Sequence, residues 1–394
     1  MKIGIIVRIL WSAGTQKFAI EEARSLQDEG HDVTLIFLRK TQSGDVYLPL
    51  LDGLNYKIME ESNTSRFVWL YDFLTGIFMS SRRGDGRVDY NLIRKLPKYI
   101  KDMDFDYLLC QDQWAGLGGY YCYKELGIKY AVIFHERVNN FPWMKGIKRI
   151  IVHMALRFQK KIVMNAHRIF AVTEGIARTV SNFYKGEVRV TAIFPGLKDN
   201  VIRNYSKKQN KIVLISFWNE IKTPEIYIPI FKEINDYKFI MAGNWTSPEY
   251  MEKFIDKLKK EEVMHKVTLL SSLSETQKVS LLQESKFFIR FGQGELGFAT
   301  GTIEAMEEGI PIICNTGLGI AEYIKGYKFA LVLENVNNTD KINQFLELVD
   351  NEEVYNSIQS DIVKMIGKYS WHKHASQLLQ EIGMDEIGGI NNNR

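Results

Sequence analysis

Two glutamates, Glu295 and Glu304, bracket a glycine-rich run in residues 291–324, FGQGELGFATGTIEAMEEGIPIICNTGLGIAEYI. The apolar, aromatic residues 286–291 (KFFIRF) have the length of a strand. Gly292, Gly294, Gly297 and Gly301 follow. A short helix is predicted over about 302–308, stopped by Gly309 and Pro311, and residues 310–314 form the next strand. Such a strand, glycine loop, helix and strand deliver bare backbone N–H groups to a helix N-terminus, a place that favours a phosphate. Carboxylates beside an anion site accept hydrogen bonds from sugar or ribose hydroxyls. The chemistry indicated is the binding of a nucleotide sugar. The same glycines would also let a helix pack closely on a parallel sheet with no ligand involved.

Other residue types narrow the chemistry. His135 follows a strand predicted at 130–134, and the C-terminal end of a parallel strand faces the ligand crevice of an α/β sheet. Residues 102–106 contain Asp-x-Asp twice, a pattern able to hold a metal-bound nucleotide. They precede the strand DYLLC, at the wrong edge of the sheet for a ligand, and so form a solvated helix-to-strand turn. Cys110, Cys122 and Cys314 have neither zinc-site spacing nor a disulfide framework, which fits a reducing cytoplasm. No metal site and no cofactor beyond the nucleotide-sugar co-substrate is expected.

These residues need a scaffold, and its elements alternate. Strand 2–9, a loop at 11–15, a helix from about Gln16 stopped by Gly30, and strand 31–37 make a Rossmann-like opening without a GxGxxG fingerprint. A helix is predicted at 89–103, and further strands at 130–134, 167–172 and 189–194. A polar linker, SKKQN at 206–210, precedes a second series of strands at 211–216, 238–242, 267–270, 286–291, 310–314 and 329–333. Residues 352–382 are predicted helical, and 388–394 are a frayed tail. A chain of 394 residues in this pattern is an α/β protein of two Rossmann-like domains. Residues 40–100 carry the weakest pattern; within them 66–79 (RFVWLYDFLTGIFM) fit a buried helix or an acceptor or membrane surface.

Composition is that of an ordinary folded protein, 45% apolar and 25% charged. No apolar run is long enough to span a membrane, and Arg8 interrupts the N-terminal one, so no signal peptide is expected. Net charge is +4 but uneven: residues 1–200 carry +8 and the remainder −4. From Arg137 to Thr173 there are eight basic residues and no acidic one, interleaved with Phe141, Trp143, Met144, Ile147, Ile150, Ile151 and Met154. This suits an amphipathic segment on an anionic membrane surface, and equally an ordinary surface helix. No nucleic-acid recognition motif accompanies the charge.

The 291–324 stretch resembles the donor-site signature of the family 4 glycosyltransferases, retaining enzymes of the GT-B fold. Gly297-Phe298-Ala299, Glu304-Ala305-Met306, Gly309-Ile310-Pro311-Ile312-Ile313 and Gly317-Leu318-Gly319-Ile320-Ala321-Glu322 match its parts in order. Eight residues separate Glu295 from Glu304 where the family has seven, so one residue is inserted near Leu296. The resemblance extends to Gly14 in the N-terminal loop, to His135, to the Pro195-Gly196-Leu197 turn and to Tyr369-Ser370-Trp371. It implies two Rossmann-like domains facing a central cleft: an acceptor domain at 1–200, a nucleotide-sugar donor domain at 201–368, and a crossover helix at 369–386 packing on the first.

The resemblance also implies roles. His135 contacts the transferred sugar. Lys222 meets the donor diphosphate; Phe217 stands where the family has a second cation, and Arg290 is a candidate substitute. Glu295 would act at the reacting sugar. Gly297, Phe298, Ala299, Thr300, Gly301 and Thr302 would cradle the phosphates, and Glu304 would hold the ribose. The implied protein is a metal-independent hexosyltransferase using a UDP- or GDP-linked sugar and a glycan or lipid-linked acceptor in cell-surface glycan, polysaccharide or glycoprotein assembly. It would be cytoplasmic, with peripheral association at the inner membrane face. Phe217 and the shifted Glu295 leave two alternatives open: a nucleotide-sugar-binding pseudoenzyme that scaffolds an assembly complex, and an epimerase on the same fold.

Overall fold

The computed structural model describes residues 1–11, 13–61, 90–138, 146–202, 205–271 and 273–388. The aromatic stretch 66–79 lies outside them, as do 139–145 of the basic segment and the expected tail from 389. The chain divides into two units: Met1–Gly196 joined by the stretch from Trp371, and Leu197–Ser370.

The first unit runs β1 (Lys2–Leu10), α1 (Gly14–Asp28), β2 (Asp32–Lys40), β3 (Asn55–Glu61), α2 (Tyr90–Ile100), β4 (Tyr107–Cys110), α3 (Ala115–Leu126), β5 (Lys129–Phe134), α4 (Ile147–Met164), β6 (Arg168–Ala171), α5 (Glu174–Phe183) and β7 (Thr191–Ala192). Its sheet is parallel throughout, in the order β3-β2-β1-β4-β5-β6-β7. β4 is buried along its whole length, and β1 and β5 nearly so, as in a sheet covered by helices on both faces. β7 was expected over 189–194 but pairs only at Thr191 and Ala192. It is the last strand of the sheet, with one neighbour to hold it. Residues 102–106 do precede β4, and Asp106 accepts from the Lys2 backbone N–H at 2.6 Å, fastening the start of β1.

The second unit runs β8 (Gln209–Ile215), α6 (Ile228–Glu233), β9 (Lys238–Ala242), α7 (Pro248–Lys260), β10 (Val267–Leu270), α8 (Glu275–Glu284), β11 (Ser285–Arg290), α9 (Thr300–Glu307), β12 (Ile312–Asn315), α10 (Ala321–Ile324), β13 (Ala330–Leu333), α11 (Thr339–Val349) and α12 (Glu352–Lys368). Its parallel sheet has the order β10-β9-β8-β11-β12-β13. α8 starts with a capping box in which Ser274 and Gln277 satisfy each other's backbone N–H groups.

The expected helix over 352–382 is two helices. α12 ends at Lys368, and α13 (Trp371–Gly388) belongs to the first unit. The break is built by packing. A Cβ on Gly196 would lie 2.2 Å from the Trp371 ring, so only a glycine lets that indole seat itself. Ser25 on α1 donates from Oγ to the Trp371 carbonyl at 2.8 Å.

In each sheet the strand order reverses beside the first strand, between β1 and β4 and between β8 and β11. Ligands of open α/β sheets bind at such switch points, outside the C-terminal ends of the strands. Gly14 follows β1, His135 follows β5, Lys222 follows β8, and Arg290, Glu295, residues 297–302 and Glu304 lie at or after the end of β11.

Candidate functional site

At the end of β8 the chain must turn away from the sheet and present Lys222. Trp218 is fully buried and donates from Nε1 to the Ala242 carbonyl at 3.1 Å, pinning the loop to β9. The Asn219 side chain then accepts from the backbone N–H of Ile221 at 3.0 Å and of Lys222 at 2.9 Å, an Asx turn that sets the direction of Lys222. Phe217 is 53% exposed and supplies no charge.

The loop after β11 is held from three sides. Asn315, at the end of β12, accepts from the Gly292 N–H and donates to the Gly292 carbonyl, both at 2.9 Å. The buried Tyr227 hydroxyl accepts from the Phe291 N–H at 2.8 Å, and its ring stacks on Phe291. Gly319 donates its N–H to the Glu295 carbonyl at 2.8 Å. A Cβ on Gly317 would meet the Gly292 carbonyl oxygen at 2.1 Å, and one on Gly319 would meet that of Leu296 at 1.9 Å. The Gly-Leu-Gly of the signature thus exists so that two loops can touch backbone to backbone.

Lys222, Arg290 and Glu295 converge. Glu295 pairs through one carboxylate oxygen with Lys222 and accepts from Arg290 Nη2 at 2.6 Å through the other. The one-residue insertion therefore leaves Glu295 at the cation that the sequence singled out. Arg290 is only 2% exposed, and its guanidinium also donates to the Phe291 carbonyl. From this buried position it holds the Glu295 carboxylate.

The helix of the signature begins at Thr300, two residues earlier than expected. Thr300, Gly301 and Thr302 are its first turn, not loop. The N–H of Thr302 donates to the Ala299 carbonyl at 2.7 Å. Ala299, in the place of a family glycine, is left-handed at φ 51°, a conformation that costs an L-residue roughly 1–2 kcal/mol. Gly301 lets α9 approach β8, because a Cβ there would come within 3.1 Å of the Ile215 carbonyl oxygen. Phe298 is buried and packs on Tyr323. The Thr302 hydroxyl is fully buried and has no hydrogen-bond partner among the described residues.

Glu304, on α9, is buried and accepts from Lys278 Nζ at 2.7 Å. Lys278 stands on α8 and also pairs with Glu275 at 2.7 Å. Nothing in the helical pattern of α8 marks Lys278; the pairing needs the packing of α8 beside α9.

In the first unit, Gly14 opens α1, and Phe18 one turn later packs edge-on to the His135 ring at 4.8 Å. His135 shares a 2.8 Å hydrogen bond through Nε2 with Gln111, the residue after β4. Burial pushes the imidazole down to about 4; Asp112 works against this and His374 adds to it. His135 is therefore neutral at physiological pH. Among the described residues no cluster of His, Cys, Asp and Glu suited to a metal occurs, and no helix is long and apolar enough to cross a membrane.

Two family models divide the chain between them. The Glycosyltransferase Family 4 model matches residues 12–201, and the Glycosyl transferases group 1 model matches residues 199–380. The chain belongs to the family 4 type of glycosyltransferase. A curated relative, an uncharacterized glycosyltransferase of Methanocaldococcus jannaschii, is 25% identical over 217 residues. That match covers 55% of this chain and 59% of the relative. Among solved structures, Anabaena HepE in complex with UDP-glucose superposes with a TM-score of 0.72 at 12% identity, over 98% of this chain and 100% of that one. A glycosyltransferase from Rickettsia africae gives 0.68 at 16%, over 100% and 99%. These likenesses establish the fold of this family 4 member: α/β, two parallel sheets flanked by helices, of the GT-B class.

The family signature marks Lys222, Glu295, Glu304 and His135 but not their supports. Tyr227, Lys278 and Asn315 lack a local signature. Each meets its hydrogen-bond partner 23 or more positions away.

Proposed function

We propose that the protein is a retaining hexosyltransferase that moves a sugar from a UDP- or GDP-linked donor to a glycan or lipid-linked acceptor. The observation that carries this reading is the pairing of Lys222, after β8, with Glu295, after β11, at the β8–β11 switch point, followed in the chain by the N-terminus of α9 and by Glu304 on that helix. In this reading the backbone N–H groups at the start of α9 and the Lys222 ammonium stabilise the diphosphate as the glycosidic bond breaks. Before the donor arrives, the Glu295 carboxylate neutralises Lys222. Glu304 accepts from the ribose hydroxyls, and His135 contacts the transferred sugar. The leaving phosphate helps to take the acceptor proton, so the enzyme supplies no general base. UDP and UDP-glucose are what the HepE structures hold, and they are the first donors to try here.

Product analysis tests the reaction. Incubation with a nucleotide sugar and candidate acceptors should yield a glycoside with the donor's anomeric configuration. An isomerised donor would identify an epimerase, an inverted product would exclude retention, and bound but unconverted donor would identify a scaffold.

No metal has a role in this reading. EDTA should leave the transfer rate unchanged; activity lost to EDTA and restored by Mg²⁺ or Mn²⁺ would contradict it.

We also propose that the basic segment meets anionic lipid. Arg149, Arg157 and Lys161 are exposed on α4, together with Ile150 at 62% and Met164 at 43%, which supports the reading. Lys160 is engaged by Glu187 at 2.6 Å. Anionic liposomes should retain the protein at low salt and release it at high salt or when Arg149, Arg157 and Lys161 are neutralised. Indifference to such liposomes at low salt would make the segment a solvated face only.

A further inference from the structure

Two helices of the first unit carry a charged or titratable residue where their pattern demands an apolar one. On α1 the inward stripe is Phe18, Glu22 and Leu26, and Glu22 is fully buried. On α13 it is Trp371, His374, Ala375 and Leu378, and His374 is 4% exposed. A carboxylate at a core position costs several kcal/mol in desolvation unless partners offset it. Here the partners form one chain of hydrogen bonds. His374 Nδ1 lies 2.9 Å from the Phe194 carbonyl oxygen, and His374 Nε2 lies 3.1 Å from Glu22 Oε1. Glu22 Oε2 accepts from Gln111 Nε2 at 2.5 Å, and Gln111 Oε1 lies 2.8 Å from His135 Nε2.

The polarity of this chain is set at its far end. A carbonyl oxygen can only accept, so His374 donates from Nδ1. Its Nε2 and Glu22 Oε1 then share one proton, whichever atom holds it. With Glu22 Oε2 accepting, Gln111 must turn its amide nitrogen toward Glu22 and its oxygen toward His135. That oxygen accepts, so the His135 proton sits on Nε2 and the lone pair on Nδ1. An apolar residue in place of Glu22 would leave the Gln111 amide free to flip and the ring free to take either tautomer; His374 engages Glu22 Oε1 and leaves Oε2 to accept from Gln111.

We propose that Glu22 and His374 are positioning residues that lock His135 as the neutral Nε2–H tautomer, so that it offers Nδ1 as an acceptor to a sugar hydroxyl. The lock itself is a property of the first unit. Its use toward a sugar rests on the glycosyltransfer reading above.

Long-range ¹H–¹⁵N spectra of the ring nitrogens in the full chain, without donor, read the lock directly. The His135 signals are assigned by their loss in His135→Gln. The wild type should show a protonated Nε2 and an unprotonated Nδ1, and Glu22→Gln should move both toward averaged positions. A proton on Nδ1 in the wild type, or an unchanged tautomer in Glu22→Gln, overturns the proposal. The wild-type spectrum decides even if Glu22→Gln does not fold. Where transfer is measurable, Glu22→Gln should lower kcat/KM by roughly tenfold, on the order of one well-placed hydrogen bond. His374→Asn should do the same, with thermal melting recorded beside each. Absence of transfer with every donor would sink the glycosyltransfer reading and leave the spectral result standing. A locked tautomer with unchanged kcat/KM in both variants would overturn the positioning role.

Discussion

Lys222→Ala is expected to lower the transfer rate by at least ~100-fold, about the loss seen when one well-placed oxyanion donor is removed. The donor's diphosphate gains negative charge as the glycosidic bond breaks. In this family two cations normally meet it, and here Phe217 leaves the second place apolar and exposed. The N-terminus of α9 remains, but it carries only about half an elementary charge. In the proposed reaction Lys222 would therefore bear more of the stabilisation than it would in a shared clamp. Because the charge grows in the transition state, the loss should fall on turnover as well as on donor affinity. A nearly silent Lys222→Ala would mean that the leaving group is stabilised elsewhere. Arg290→Ala is the companion. Arg290 is buried against Glu295, so its removal should act through a misplaced Glu295 and chiefly depress turnover, with nucleotide affinity little changed. A matching loss of nucleotide affinity would instead make Arg290 the second cation of the clamp.

Glu304→Ala should take transfer below detection. A carboxylate that accepts from two ribose hydroxyls supplies two charge-assisted hydrogen bonds, about 3–6 kcal/mol together, or roughly 10²–10⁴-fold. The deletion also removes the carboxylate that faces Lys278, but Lys278 keeps Glu275, so the fold should survive. Glu304→Gln retains the shape and should separate the two effects: nucleotide binding lost while melting stays close to wild type. Near wild-type activity in Glu304→Ala would remove the donor-site assignment.

The alternation of apolar runs with glycine stops marked both sheets before any coordinates, except β3, which lies in the weakly patterned residues 40–100 and was not predicted. A parallel strand buried on both faces is a short apolar run, and KIGIIVRI and KFFIRF are plain examples. The signature loop was legible for a related reason: Gly317 and Gly319 are where they are because backbone touches backbone. What the sequence could not show is partnership across distance. Lys278 finds Glu304, Asn315 finds Gly292, and Glu22 finds His374, 352 positions away, only once the helices and strands are packed. Helix ends were blurred by local competition. The start of α9 moved to Thr300 because Ala299 takes the left-handed conformation usually left to glycine. The C-terminal helix broke at Tyr369-Ser370 because Trp371 is drawn onto Gly196.

A nucleotide-sugar site in the second unit carries the proposed function. Calorimetric titration of UDP- and GDP-linked sugars into the wild type, Lys222→Ala and Glu304→Ala tests it most directly. One donor class should bind the wild type with one-to-one stoichiometry, the free nucleoside diphosphate should compete, and both variants should bind more weakly, Glu304→Ala most of all. Absence of binding by any nucleotide sugar, or binding indifferent to both substitutions, would contradict it.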